Sequence, residues 1–261
     1  MPIQSVNRAM DILFLFSQAR PRMGVTEISK VLGLNKGTAF GLVDTLYKRG
    51  FLVKDPESQK YGLGSKLFEL GAIQAWNTQL YKVGVYPVHR LSEKVGRSAR
   101  LFSWEKENML LILNVFHSSE QFPFGGAFGP SFPAYCTGAG KAILAWLPEP
   151  KIHNYIQKTQ LRPYTSNTIS ERKALELELR KIRRNGFSTD REEFLNGFNC
   201  IGAPILDFNR CPVGSVSISV DSDFFNNQEA GSEAKELMFT AMEISRSMGY
   251  VFDGQSSMPS E

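Results

Sequence analysis

At 261 residues, with 42% hydrophobic and 21% charged residues, the chain has the make-up of a globular protein long enough for two domains. No apolar run reaches the ~18 residues that a membrane span needs, and the first apolar segment carries Arg8 and Asp11, which is not the pattern of a signal peptide. The formal net charge of +4 lies entirely in residues 1–64, with nine Lys/Arg against five Asp/Glu, while the remainder balances at 21 of each. Three scattered cysteines, Cys136, Cys200 and Cys211, exclude a disulfide framework and a paired-cysteine metal site, and point to the reducing cytoplasm.

Residues 5–17 read as an amphipathic helix with Val6, Ala9, Met10, Leu13 and Phe16 inward, broken at Ala19-Arg20-Pro21-Arg22. Residues 25–50, VTEISKVLGLNKGTAFGLVDTLYKRG, read as two short helices about a tight turn. Ile28, Val31 and Leu32 recur at helical spacing, Gly33 suits a left-handed cap, and Asn35 suits the N-cap of the second helix. In that helix Ala39, Leu42, Val43, Leu46 and Tyr47 form one apolar stripe, which Gly50 ends. A helix, a glycine-containing turn and a helix make the helix-turn-helix signature. The face away from the stripe carries Gly37, Phe40, Gly41, Asp44 and Lys48, with Lys36 and Thr38 in the first turn. A cation at Lys36 opposes the helix dipole, and a phosphate held beside the free N–H groups would reconcile it. Gly37 and Gly41 each lower helix propensity by about 1 kcal/mol relative to Ala, a cost that close approach of another molecule would explain. The competing reading is a solvated face in an unrelated helical domain.

Residues 51–54 and 60–63 read as a hairpin joined by the turn residues Asp55-Pro56-Glu57-Ser58-Gln59. Three helices and a two-stranded hairpin make a winged helix-turn-helix, with Lys54 and Lys60 placed to reach backbone phosphates. Residues 65–75 read as a helix that links domains, its apolar side chains suited to a second subunit, and residues 79–94 as a helix ending at Gly96. Beyond Ser98 the pattern is mixed. Residues 98–104, 109–116, 200–208 and 213–220 read as strands, and residues 138–147, 149–158, 171–184 and 229–248 as helices. Residues 117–133 have no period; their Phe122, Phe124, Phe128 and Phe132 either line a cavity or pack on the sheet. The whole is an α+β domain around an antiparallel sheet, with residues 253–261 a frayed tail.

The stretch YCTGAGKA, from Tyr135 to Ala142, fails as a phosphate-binding loop, since Tyr135 stands five residues before Gly140 and Ala142 follows Lys141. What survives is a glycine-rich helix entry whose Gly138, Ala139 and Gly140 N–H groups could hold a carboxylate, or else small residues needed for helix–sheet packing. Ser217 and Ser219 share one strand face, which lines a pocket or faces solvent. Asp190 and Cys200 are further candidates. The three histidines, His89, His117 and His153, offer no catalytic or metal spacing, and no metal or cofactor is expected.

The order of these blocks resembles the IclR family of bacterial transcription regulators. SVNRAMDIL is similar to the family's opening helix, GLNKGTAFGLVDTL to its recognition helix and KYGLGSKLFELG to its wing and linker helix. YCTGAGKAILAWL, YTSNTI, KIRRNGFSTDREEFLNGFNCIGAPILD and VGSVSISV are similar to its effector domain, in order. The resemblance implies a winged helix-turn-helix (residues 1–64), a linker helix (65–77) and a GAF-like effector-binding domain (78–252). It further implies a dimer or tetramer on double-stranded operator DNA, controlled by a small organic acid. Carried over, the effector site falls on Gly138, Ala139, Asp190, Cys200, Ser217 and Ser219, beside Gly140. The recognition helix departs from the family: Gly37-Thr38-Ala39-Phe40-Gly41 stands where Ser-Thr-Val-His-Arg is common, leaving Phe40 to meet a thymine methyl. Val220-Asp221 stands where the family usually has Gly-Pro. Two other readings remain in play: a metabolite-binding protein or cysteine-dependent enzyme with an inert helical arm, and a DNA-binding protein whose effector site its own phenylalanines fill.

Overall fold

The computed structural model describes residues 2–117, 131–226 and 230–251. The chain divides into two compact units, one comprising Met1–Asn77 and the other beginning at Thr78.

In the first unit α1 (Gln4–Phe14), α2 (Val25–Val31) and α3 (Lys36–Lys48) precede a hairpin of β1 (Leu52–Lys54) and β2 (Tyr61–Leu63), and α4 (Ser65–Asn77) follows. Ile12, Met23, Ile28, Val43, Leu46, Leu52 and Tyr61 form its core. Gly33 is left-handed at φ 62° and Gly50 at φ 76°, as the turn and the helix end require. The Asn35 side chain accepts the Thr38 N–H at 2.8 Å and so caps α3. The first helix departs from its expected face. Ala9, Ile12, Leu13 and Phe16 turn toward the core, whereas Val6 and Met10 lie on a second stripe with Ile3 and Phe14, all at least 44% exposed. Helix α4 has no fully buried residue, and its Phe68, Ile73 and Trp76 are exposed.

In the second unit α5 (Gln79–Val95) leads into β3 (Ala99–Glu105) and β4 (Asn108–Val115). Then come β5 (Ser131–Phe132), α6 (Gly138–Trp146), α7 (Glu149–Lys158) and α8 (Arg172–Asn185). Strands β6 (Ser188–Arg191), β7 (Asn199–Leu206) and β8 (Pro212–Val220) and helix α9 (Ala230–Ser247) complete it. The strands form one antiparallel sheet in the order β5-β4-β3-β8-β7-β6. Side chains alternate across it. Ala99, Leu101, Ile201, Ala203, Val216 and Ile218 face a core shared with Leu91 of α5 and Leu237 and Ile244 of α9. The other face meets α6 and is polar. The short strands β5 and β6 have no counterpart in the sequence reading. Phe132 in β5 is buried edge-on against Phe102 and Phe194, so it packs on the sheet; Phe122, Phe124 and Phe128 lie outside the described residues.

Candidate functional sites

On the surface of the first unit Lys36 occupies the first position of α3, exposed beside Gly37, with Phe40 56% exposed and Gly41 exposed one position on. Thr38 is half-buried. Among the described residues, a Cβ at Gly41 would meet nothing within 4 Å, and one at Gly37 only Asn35 Oδ1 at 3.6 Å. Packing among the described residues requires neither glycine. Lys48 pairs with Asp44 at 2.7 Å, and this contact raises its ammonium above the ordinary lysine value. Lys60 pairs with Glu27 at 3.2 Å, and Lys54 lies 5.8 Å from the Tyr61 ring centre. Glu27 accepts the Gly24 N–H at 2.6 Å, a contact that, with Lys60, holds its carboxyl below the usual range. Exposed pairs of this kind are each worth about 0–1 kcal/mol, little enough to yield to a phosphate.

In the second unit the polar face of the sheet is arranged in rows set by strand register. Asp190, Cys200 and Ser219 are successive partners across β6, β7 and β8. The next row runs Ser188, Gly202, Ser217 and Arg100, reaching β3. All these residues are buried. The N-terminus of α6 rests directly on this surface. A Cβ on Gly202 would stand 2.7 Å from the Gly138 carbonyl and 2.8 Å from Ala139 N, and one on Gly138 would stand 2.9 Å from Cys200 Sγ. The two glycines therefore let the helix start touch the strand. The Ser188 hydroxyl donates to the Gly138 carbonyl and anchors it.

The structure thus brings Gly138, Ala139, Asp190, Cys200, Ser217 and Ser219 into one layer. Gly140 has a different place. Its N–H donates to the Thr137 hydroxyl at 3.2 Å, which caps α6, and its Cα faces the Ala134 backbone. The expectation of a free N–H at Gly140 is corrected: the cap uses it, and packing accounts for the glycine.

Three charged residues of the layer were not singled out as ligands in the sequence. Arg100, 1% exposed, donates through Nη1 to Ser219 Oγ at 2.7 Å and lies 5.5 Å from the Phe198 ring centre. Lys141, fully buried in α6, pairs with Glu193. The two cations had a signal: Arg100 interrupts an apolar strand, and Lys141 is the lone charge in the run GAGKAILAW. Asp190 accepts the Glu193 N–H at 2.7 Å and lies 3.8 Å from Cys200 Sγ, whose thiol donates to it. Burial, then the nearby Glu193 charge, pushes the Asp190 carboxyl up to about 7. Burial likewise raises the Glu193 carboxyl, a rise its Lys141 partner opposes. It also raises the thiols of Cys136 and Cys200, so both remain protonated near neutral pH. Among the described residues no group of His, Cys, Asp or Glu is placed to hold a metal ion, and no helix is long and apolar enough to cross a membrane.

A winged helix-turn-helix with an exposed recognition helix, joined in one chain to an α+β unit with a buried polar layer, defines a DNA-binding regulator with a ligand-type second domain. The chain belongs to the IclR family of bacterial transcriptional regulators. Residues 75–246 match the bacterial transcriptional regulator IclR C-terminal domain, and residues 5–56 match the IclR helix-turn-helix domain. It is 28% identical over 251 residues to the HTH-type transcriptional regulator XynR of Escherichia coli, covering 96% of this chain and 99% of that protein. It superposes on the crystal structure of the Thermotoga maritima IclR with a TM-score of 0.76 at 28% identity, covering 94% and 99% of the two chains. It shares its fold, at a TM-score of 0.79 and 19% identity, with an IclR homologue from Microbacterium hydrocarbonoxydans solved with 4-hydroxybenzoate; the match covers 94% of this chain and 99% of that one. The chain is a DNA-binding transcriptional regulator.

Proposed function

We propose that this regulator reads operator DNA through α3 and answers to a small organic acid bound on the polar layer of the second unit. The observation that carries the second half is the stack of buried polar side chains under the start of α6. Asp190, Cys200, Ser217 and Ser219 occupy adjacent register positions, and the N–H groups of Gly138 and Ala139 lie above them. A helix N-terminus attracts an anion. The buried guanidinium of Arg100, already bonded to Ser219, adds positive charge to the same layer. The bound carboxylate of the Microbacterium homologue has the same chemistry, which supports an acid as the ligand here.

On the DNA side, Thr38 and Phe40 sit at base edges in the major groove, and Lys36, Lys48, Lys54 and Lys60 position on phosphates. Gly37 and Gly41 leave α3 bare where the groove wall comes close, and the open space at Gly41, with only an ordinary contact to Asn35 at Gly37, supports this. The exposed apolar stripe of α1 (Ile3, Val6, Met10 and Phe14) and the exposed Phe68, Ile73 and Trp76 of α4 support assembly as a homo-oligomer, which a two-half-site operator requires. The chain works as a cytoplasmic binding protein rather than an enzyme: a buried, protonated Cys200 that donates to Asp190 is a poor nucleophile.

Thermal unfolding of the full chain against a panel of small carboxylates, 4-hydroxybenzoate among them, tests the effector site. A binding acid raises Tm by mass action, and the double variant Ser217→Val/Ser219→Val lowers that rise. A panel in which every acid that stabilises the wild type stabilises the double variant equally contradicts the assignment of the site.

A further inference from the structure

The opposite side of β6 carries a second cavity. Ser188 and Asp190 face the polar layer, so Thr189 and Arg191 face the other way, into a cleft of about 560 Å³ between α8, β6 and α9. That volume lies within the range of small-molecule sites. Its floor is apolar: Phe224 and Phe225 meet edge-to-face with ring centres 5.3 Å apart, and Phe187 and Met238 adjoin them. The Arg191 guanidinium lies 4.2 Å from the Phe225 ring centre.

The rim is cationic. Among the described residues, Lys181, Arg184, Arg191 and Lys235 line it against a single acid, Glu178, an excess of three positive charges. This imbalance follows from how α9 is used. Its three acids are committed to cations on the side away from the cleft: Glu233 to Arg97, Glu236 to Lys94 and Glu243 to Arg90. Lys235 is left facing the cavity, and Lys181, Arg184 and Lys235 take part in no ion pair among the described residues. Several uncompensated cations around an aromatic floor favour a ligand with a flat apolar body and an anionic end.

We infer that this cleft is a second ligand site, distinct from the polar layer beneath α6, and that it takes an aromatic carboxylate. The ring lies on Phe224 and Met238, and the carboxylate meets Lys181, Arg184 and Lys235.

The test uses the full chain labelled with ¹³C at its methionine methyls, with 2-naphthoate as probe and 2-naphthylmethanol as its neutral counterpart. The Met238 methyl is assigned by the Met238→Leu variant. The expected result is a saturable upfield shift of the Met238 signal with 2-naphthoate, at least tenfold weaker binding of the neutral alcohol, and at least tenfold weaker 2-naphthoate binding in Lys181→Glu/Lys235→Glu. Both substituted positions are exposed, and an unchanged melting curve confirms that the double variant folds. Any of three results overturns the proposal: a Met238 signal indifferent to 2-naphthoate, equal response to the alcohol, or binding unmoved by the charge reversals. A Met238 signal that shifts with protein concentration alone also overturns it, by showing that a second copy covers the cleft. Binding that Ser217→Val/Ser219→Val removes and the charge reversals spare belongs to the polar layer and leaves this cleft without support.

Discussion

Asp190 makes the stability of the effector domain depend on pH in a direction opposite to that of most carboxylates. Its ordinary value is 3.8, and burial with the neighbouring Glu193 charge pushes it up to about 7 in the folded chain. Between these values the folded state holds a proton on Asp190 that the unfolded state has released. Stability therefore falls as pH rises, at up to ~1.4 kcal/mol per pH unit, and levels off above pH 7. Allowing for partial ionisation near the upper value, the loss between pH 5 and pH 7 is about 2 kcal/mol. Asp190→Asn removes the titration and keeps an oxygen for the Glu193 N–H. Urea unfolding of both proteins at pH 5, 6, 7 and 8, read by tryptophan fluorescence, gives the difference between them. The wild type loses about 2 kcal/mol relative to Asp190→Asn from pH 5 to pH 7, with no further loss beyond about pH 8. A difference that is flat with pH, or that grows in favour of the wild type, refutes the reasoning that burial dominates at this carboxyl.

Other consequences follow from the same contacts. Asn35→Ala removes the acceptor of the Thr38 N–H and should cost about 1 kcal/mol, seen as a lower Tm of the first unit, whereas Asn35→Asp should hold it; equal melting of all three proteins would mean the cap is idle. Lys141→Met leaves the buried Glu193 carboxylate without its partner and should cost about 3–5 kcal/mol, most of which Lys141→Met/Glu193→Leu should recover. Denaturant midpoints of the single and double variants measure this, and a double variant as weak as the single one would show that the lost stability is packing rather than unpaired charge.

The helix pair was legible because each of its signals is local. Gly33 needs a left-handed turn, Asn35 caps the helix that follows it, and Leu42, Val43 and Leu46 repeat at helical spacing. Gly96 and Gly186 likewise mark the ends of α5 and α8. The face of α1 was less legible. Two apolar stripes run along it, and only the tertiary core selects the one through Ile12. Strand β6 has the sequence Ser-Thr-Asp-Arg, with no apolar alternation, because one side faces a polar layer and the other a charged cleft. Asp190 was therefore a candidate by residue type alone, and only the family resemblance assigned it to the effector site. Gly138 was read from its type, but the reason for it is long-range: β7 approaches so closely that a side chain at Gly202 or Gly138 would collide. Gly140 shows the reverse error, since the same residue type two residues on serves the Thr137 cap. Arg100 and Lys141 are long charged side chains whose burial depends on partners more than fifty residues away, Ser219 for the first and Glu193 for the second.

The central claim, that α3 reads operator DNA with Lys36 on a phosphate, is tested most directly by fluorescence anisotropy. The duplex lies upstream of the chain's own gene, a scrambled duplex serves as control, and each is titrated across a series of salt concentrations. The account predicts binding to the upstream duplex ~10³-fold or more tighter than to the scrambled one. It also predicts that Lys36→Ala weakens binding to both and lowers the salt slope by about one. A slope left unchanged by Lys36→Ala, or no binding to either duplex at low salt, would contradict it.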